Sequence, residues 1–129
     1  MSEFKKKYSL IERKDITKKI LEKYVDKCPI YLSLDNAILS NIDPIFRKNI
    51  NRYIVTSNLT LSQYLSIIRK KINFSQNESL TLFIEIFEGN KLINTILAPL
   101  TSSIDYIYNN YKDDDGFIYL KIVKENVFG

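Results

Sequence analysis

Gly129 closes the sequence after Glu125-Asn126-Val127-Phe128. A C-terminal glycine suits activation of its carboxylate: with no Cβ, an adenylating enzyme, then a thiol, then an amine can each reach the carbonyl. Other groups able to do chemistry are few. Cys28 is the single cysteine, set in the apolar stretch Cys28-Pro29-Ile30-Tyr31-Leu32. A nucleophilic thiolate needs a base beside it, and the chain has no histidine. Cys28 therefore reads as a small buried apolar residue. The missing histidine also removes Ser-His and Cys-His triads, His general bases and His metal ligands together. One cysteine with carboxylates makes a poor zinc site. Asp113-Asp114-Asp115 is the one carboxylate cluster, flanked by Lys112 and Gly116. It lacks the alternating ligands and distal Glu of a calcium loop, so it reads as a solvated turn. No glycine-rich loop is present to cradle a phosphate. The expectation is a chain that is no enzyme and carries no cofactor or metal.

Its 129 residues suit one domain with a real core. A lone cysteine allows no disulfide framework and fits a reducing, cytoplasmic setting. The start, Met1-Ser2-Glu3-Phe4-Lys5-Lys6-Lys7, is basic but leads into no signal-peptide core. No run approaches the ~20 apolar residues of a membrane span. Ser2 does not fit N-myristoylation, and the last residues lack a prenylation cysteine. Basic clusters at 5–7 and 69–71, a net charge of +4 and nine tyrosines raise the question of nucleic acid. Most tyrosines fall at core-facing spacing and no nucleic-acid signature is present, so no such partner is expected.

The elements that must position Gly129 follow from periodicity. Ser9-Leu10-Ile11-Glu12 is a capping box. Ile16, Ile20 and Tyr24 recur four apart after it and predict a helix over about 10–24. Pro29 stops any helix before it, and 28–34 read as a strand. Residues 34 to about 47, with Asp43-Pro44, read as loop, and 52–56 as a second strand. Thr60-Leu61-Ser62-Gln63 is another capping box. Leu61, Tyr64, Leu65, Ile68 and Ile72 follow it at helical spacing. Leu80 to Phe87 alternate as a strand, 88–91 signal a turn and 92–97 a further strand. Ser102-Ser103 can cap a helix carrying Ile104, Ile107, Tyr108 and Tyr111. Phe117 to Val123 form the last strand. The order α, β, β, α, β, β, α, β matches an α+β, β-grasp sheet with a helix across it.

Several ordered segments then carry a resemblance. Ile20-Leu21-Glu22-Lys23-Tyr24-Val25-Asp26-Lys27-Cys28-Pro29 is similar to I-x-x-K-Y-P-D-R-V-P. Tyr53-Ile54-Val55-Thr56-Ser57-Asn58-Leu59-Thr60 is similar to Y-L-V-P-x-D-L-T, followed by Gln63-Tyr64 and Ile68-Arg69-Lys70-Lys71-Ile72. Asp115-Gly116-Phe117-Ile118-Tyr119 precedes the Glu125–Gly129 tail. From about Ser9 to Gly129 the chain resembles the autophagy-related protein 8 family and its animal relatives such as GABARAP.

The resemblance implies a ubiquitin-like β-grasp domain over 28–129 behind a two-helix N-terminal extension over 1–27, forming one structural unit. It implies conjugation of Gly129 to phosphatidylethanolamine by E1-like and E2-like enzymes, and removal by a deconjugating cysteine protease. The lipid would hold the domain on an autophagosome or related organelle membrane. It also implies receptors bearing an aromatic-x-x-aliphatic motif, docked as an added strand. Carried over position by position, Ile20, Pro29, Ile54 and Phe117 line a first pocket with Ile16 and Arg52 at its rim. Tyr53, Val55, Leu59, Tyr64 and Ile67 form a second, and Lys27 and Lys71 attract acidic flanks. Val25 and Thr56 depart from prolines usual in the family, and Ile50 stands where a lysine is common. The stretches near 35–48 and 88–97 also look longer or different. A protein-conjugated relative and a non-conjugated β-grasp interaction module are the alternatives.

Overall fold

The computed structural model describes residues 3–39, 52–72 and 79–124, without the side chains of 36, 37 and 52–54. Among these residues ten elements run in order: α1 (Glu3–Lys7), α2 (Leu10–Lys23), β1 (Lys27–Leu34), α3 (Asn36–Leu39), β2 (Arg52–Thr56), α4 (Leu61–Lys71), β3 (Leu80–Glu88), β4 (Lys91–Leu97), α5 (Ile104–Tyr111) and β5 (Ile118–Lys124). Both capping boxes form. Glu12 N–H donates to Ser9 Oγ at 3.2 Å while Ser9 N–H donates to Glu12 Oε1 at 2.9 Å. Thr60 and Gln63 make the same exchange at 3.1 and 2.9 Å. Each box satisfies two N–H groups that a helix start leaves without partners. Ser103 caps α5 by accepting from Tyr106 N–H.

The five strands make one mixed sheet in the order β2-β1-β5-β3-β4. β1 and β5 are parallel; the other pairings are antiparallel. The register aligns Ile30 with Ile118, Leu32 with Leu120 and Leu34 with Ile122. It then aligns Ile122 with Leu82 and Leu120 with Ile84. Period-two alternation sends these even-numbered residues to one face. There they form the main core with Leu61, Tyr64, Leu65 and Ile68 of α4 and Ile104 and Ile107 of α5. The opposite face carries Tyr31 and Tyr119, joined by Phe117 and by Phe4 of α1 in a second cluster. Phe4 stacks on Tyr31 at 5.2 Å and meets Phe117 edge-on at 4.9 Å. Helices thus cover both faces: α4 and α5 on one, α1 and α2 on the other. This is the α+β ubiquitin-like β-grasp arrangement with N-terminal helices.

The stretch expected as loop from 34 to about 47 begins with a helix instead. Asp35 starts α3 by accepting Ile38 N–H on its Oδ1 at 2.9 Å, and Ile38 is fully buried in the main core. Asp43-Pro44, with the rest of 40–51, lie outside the described residues.

Candidate functional site

β2 pairs only with β1 among the described residues and so stands at one margin of the described sheet. The β1–β2 register sets Ile54 opposite Pro29, Tyr53 opposite Ile30 and Arg52 opposite Tyr31. The side chains of Arg52, Tyr53 and Ile54 are outside the described set. Of the first-pocket residues, Ile16 and Ile20 are half-buried and pack against the second cluster, which contains Phe117. Phe117 is 1% exposed, covered by Phe4, and can serve only as a floor. Pro29 is buried on β1. Of the second group, Val55 and Tyr64 are buried in the main core and Leu59 packs against it half-buried. Ile67 lies apart from these on the outer side of α4, 40% exposed. Lys27 is half-buried with its Nζ 5.3 Å from the Tyr24 ring centroid, and Lys71 is exposed at the end of α4. Of the described side chains, Ile16, Ile20 and Phe117 thus lie on the α1–α2 face of the sheet and Val55, Leu59 and Tyr64 on the α4 face.

What seats α1 and α2 is a set of residues read wrongly or missed in the sequence. Asp113-Asp114-Asp115 is no solvated turn: the Asp115 side chain is fully buried and that of Asp113 nearly so. Arg13 Nε donates to Asp115 Oδ2 at 2.9 Å, and its Nη1 donates to Tyr8 O at 2.8 Å. The Tyr119 hydroxyl donates to the same Oδ2, and Phe117 N–H donates to Oδ1 at 2.8 Å. Thr17 hydroxyl donates to the Asp115 carbonyl at 2.6 Å. Lys5, one member of the basic cluster at 5–7, is buried: its Nζ donates to Asp113 Oδ1 at 2.9 Å and Gly89 O at 2.7 Å. The same Nζ lies 4.5 Å from the Phe87 ring centroid. Two cations of the N-terminal helices thus meet two carboxylates of the turn before β5. A buried charge is tolerable only when paired and hydrogen-bonded, and here every charge has both.

The clamp has two further marks. Gly116 has φ +90, and a Cβ there would fall 2.4 Å from Thr17 Cγ2, so helix and turn touch without room for a side chain. Burial, with donation to Asp115 second, pushes the Tyr119 phenol far above its ordinary range. A signal for part of this was present in the sequence. Arg13 stands in phase with Ile16, Ile20 and Tyr24, at i, i+3, i+7 and i+11. A charge inside an apolar stripe requires a buried partner.

Cys28 lies in the main core, 4% exposed, and burial, aided by the charge of Asp105, pushes its thiol up to about 11. A thiol held protonated at neutral pH is inert. Among the described residues no group of histidine, cysteine or acidic side chains could hold a metal ion. No described helix is long and apolar enough to cross a membrane. Gly129 lies outside the described residues; β5, the middle strand of the sheet, delivers the chain to Lys124.

An N-terminal helix pair clamped on a five-stranded grasp sheet defines a class of ubiquitin-like proteins, and comparison with known proteins agrees. The family model described as autophagy protein Atg8, ubiquitin like, matches residues 12–129. The chain is 32% identical to autophagy-related protein 8d of Arabidopsis thaliana, covering 100% of this chain and 96% of that one. It is 33% identical to autophagy-related protein 8 of Schizosaccharomyces pombe, covering 99% and 94%. The crystal structure of Trypanosoma brucei ATG8 superposes with a TM-score of 0.72 at 25% identity, covering 100% of this chain and 99% of that one. The chain belongs to the Atg8 family of ubiquitin-like autophagy proteins.

Proposed function

We propose that this chain is a modifier rather than an enzyme, joined through the carboxylate of Gly129 to the amine of phosphatidylethanolamine. An E1-like enzyme adenylates the carboxylate with ATP, releasing pyrophosphate, and its thiol displaces AMP. The acyl group passes to an E2-like thiol and then to the lipid amine, which forms an amide and releases the thiol. A deconjugating cysteine protease reverses the last bond by hydrolysis. The chain is cytoplasmic before conjugation and afterwards held on an autophagosome or related organelle membrane. Two acyl chains, at ~0.8 kcal/mol per buried CH₂, make that attachment stable. The observation that carries this reading is the family match running through residue 129, with the glycine following the central strand of the sheet.

The β2 margin supports a second part of the reading. An extended receptor peptide with an aromatic-x-x-aliphatic motif adds there as a sixth strand. Ile16, Ile20, Pro29, Ile54 and Phe117, with Arg52, take one apolar side chain. Tyr53, Val55, Leu59, Tyr64 and Ile67 take the other, while Lys27 and Lys71 attract acidic flanks.

The test is reconstitution with E1-like and E2-like enzymes, ATP and phosphatidylethanolamine vesicles, read as a lipidated band on a gel. The expected result is a band from the native chain and none from a folded Gly129→Ala variant. No band from the native chain overturns lipid conjugation. Transfer to a protein amine instead supports the protein-conjugated alternative, and no thioester at all supports a non-conjugated interaction module.

A further inference from the structure

The two flanks of α2 differ. Ile16 and Ile20 pack against the aromatic cluster. Thr17 and Leu21, one residue further on in each case, stand about 100° round the helix, on its other flank. There they border a groove of about 500 Å³ between α2, the end of α5 and the turn over 113–116. Its lining is apolar at depth: Thr17 is buried, Tyr108 half-buried and Leu21 39% exposed. Its rim is basic. Lys14 and Lys18 stand on the α2 side, and Lys112 on the other, with its Nζ 5.1 Å from the Tyr108 ring centroid. All three lysines are exposed, and among the described residues none of them forms an ion pair. Asp15 pairs with Lys19 instead, and Asp113 and Asp115 with Lys5 and Arg13. Glu22 and Asp114 are the carboxylates left at the groove, so positive charge is in excess there. The depth is fixed in advance. Thr17 hydroxyl donates to the Asp115 carbonyl at 2.6 Å, and Gly116 touches Thr17 with no room for a Cβ. A groove shaped before binding costs little ordering when it is filled.

We propose that this groove is a docking site, separate from the β2 margin, for an acidic amphipathic helix of a partner protein. Two carboxylates one turn apart on that helix meet Lys14 and Lys18, and an aliphatic side chain between them enters over Thr17, Leu21 and Tyr108. The occupant is helical because α2 spends its N–H and C=O groups within itself and no strand margin lines the groove. An extended segment finds no ladder there, whereas a helix arrives with its backbone already bonded. The occupant is acidic because Lys14 and Lys18, at i and i+4 and ~6 Å apart along the axis, repel one another without a counter-charge. Carboxylates at the same spacing relieve that repulsion and fix the register of the incoming helix. From Lys14 to Leu21 is seven residues, about two turns, so a short helix spans the site. The site stands whether or not the chain is conjugated.

The test is selection of a displayed library of helix-forming peptides, randomised on one face, against the full chain. The double variant Lys14→Glu with Lys18→Glu, both at exposed positions, serves as the counter-target, its fold checked by circular dichroism. The expected result is a set of helices with acidic residues four apart and an aliphatic residue between them. Their affinity falls at least about tenfold on the double variant. It falls about threefold on Leu21→Gln, which keeps every charge. Exchange of the peptide's acidic pair for lysines restores binding to the double variant, as a direct charge pairing requires. Helices that bind both forms of the chain equally overturn the proposal, as does a selection that yields none. Displacement of the selected helices by an aromatic-x-x-aliphatic peptide assigns them to the β2 margin and also overturns it. Binding of anionic vesicles through Lys14 and Lys18, with no helix selected, replaces the protein partner by a lipid surface.

Discussion

The two faces of the sheet are held by different chemistry. Beneath α4 and α5 the contact is made mainly by aliphatic side chains with Tyr64, and β1, β3 and β5 contribute alternate residues. Beneath α1 and α2 aromatic rings share the contact with Arg13, Lys5, Asp113 and Asp115. The first kind of contact is non-directional and tolerates repacking. The second is directional: Arg13 fits one carboxylate, and Gly116 fits against Thr17 only at one separation. A helix pair of 5 and 14 residues has little apolar area with which to find its seat. The paired charges supply the register, and they make the seat unforgiving, since a buried charge stripped of its partner costs far more than the pair contributes.

That contrast can be broken most severely at Arg13. Arg13→Met keeps the volume of the stem and leaves Asp115 buried with no cation. Urea denaturation is expected to show a loss of about 3–5 kcal/mol. A loss below about 1 kcal/mol would mean that the charged face is no more exacting than the apolar one. Alkaline pH comes next and acts on both faces at once. The Cys28 thiol, on the apolar side, keeps its proton up to about 11 when folded, against an ordinary value of 9.0. Between those values the unfolded chain has lost a proton that the folded chain retains, so stability falls as pH rises through this window. Tyr119, on the charged side, and Tyr108 are shifted in the same direction by burial and extend the decline. Thermal melts from pH 8 upward should fall from near pH 9, and Cys28→Ser should flatten the first part of the curve. The smallest effect tests whether the helices are equally tied down. Ser9→Ala at α2 and Thr60→Ala at α4 each remove one cap, and each should cost about 1 kcal/mol in the same denaturation assay. A markedly smaller cost at Ser9 would show α2 to be anchored by its clamp rather than by its own helical stability.

The apolar face was legible because its signals are periodic. Leu61 to Ile72 repeats at helical spacing, Leu80 to Ile86 alternates, and both capping boxes formed as read. The charged face was not, because its partners are about 100 residues apart in sequence: Arg13 with Asp115, Lys5 with Asp113. Three adjacent aspartates before a glycine look like any exposed turn. Only the phase of Arg13 within the α2 stripe betrays that one of them is buried. α3 was hidden for a related reason. It is four residues long, with no room for a periodic pattern, and it is started by the last acceptor of a strand. For the docking edge, position in the sequence located β2, but the depth of Phe117 is set by Phe4 of α1, which packs over it from more than 100 residues away, and that of Tyr64 by the way α4 lies on the sheet.

The far edge of the sheet has a consequence of its own. A bulge interrupts the β3–β4 register between Ile86 and Phe87. Alternation from Ala98, whose N–H donates to Leu82 O, points the Thr95 N–H away from β3, and Asn94 Oδ1 accepts it at 2.8 Å. A bulge and an occupied donor are two ways in which a sheet margin is made unfit for pairing. Among the described residues, β4 is therefore a less regular margin for an added strand than an unbroken ladder would be.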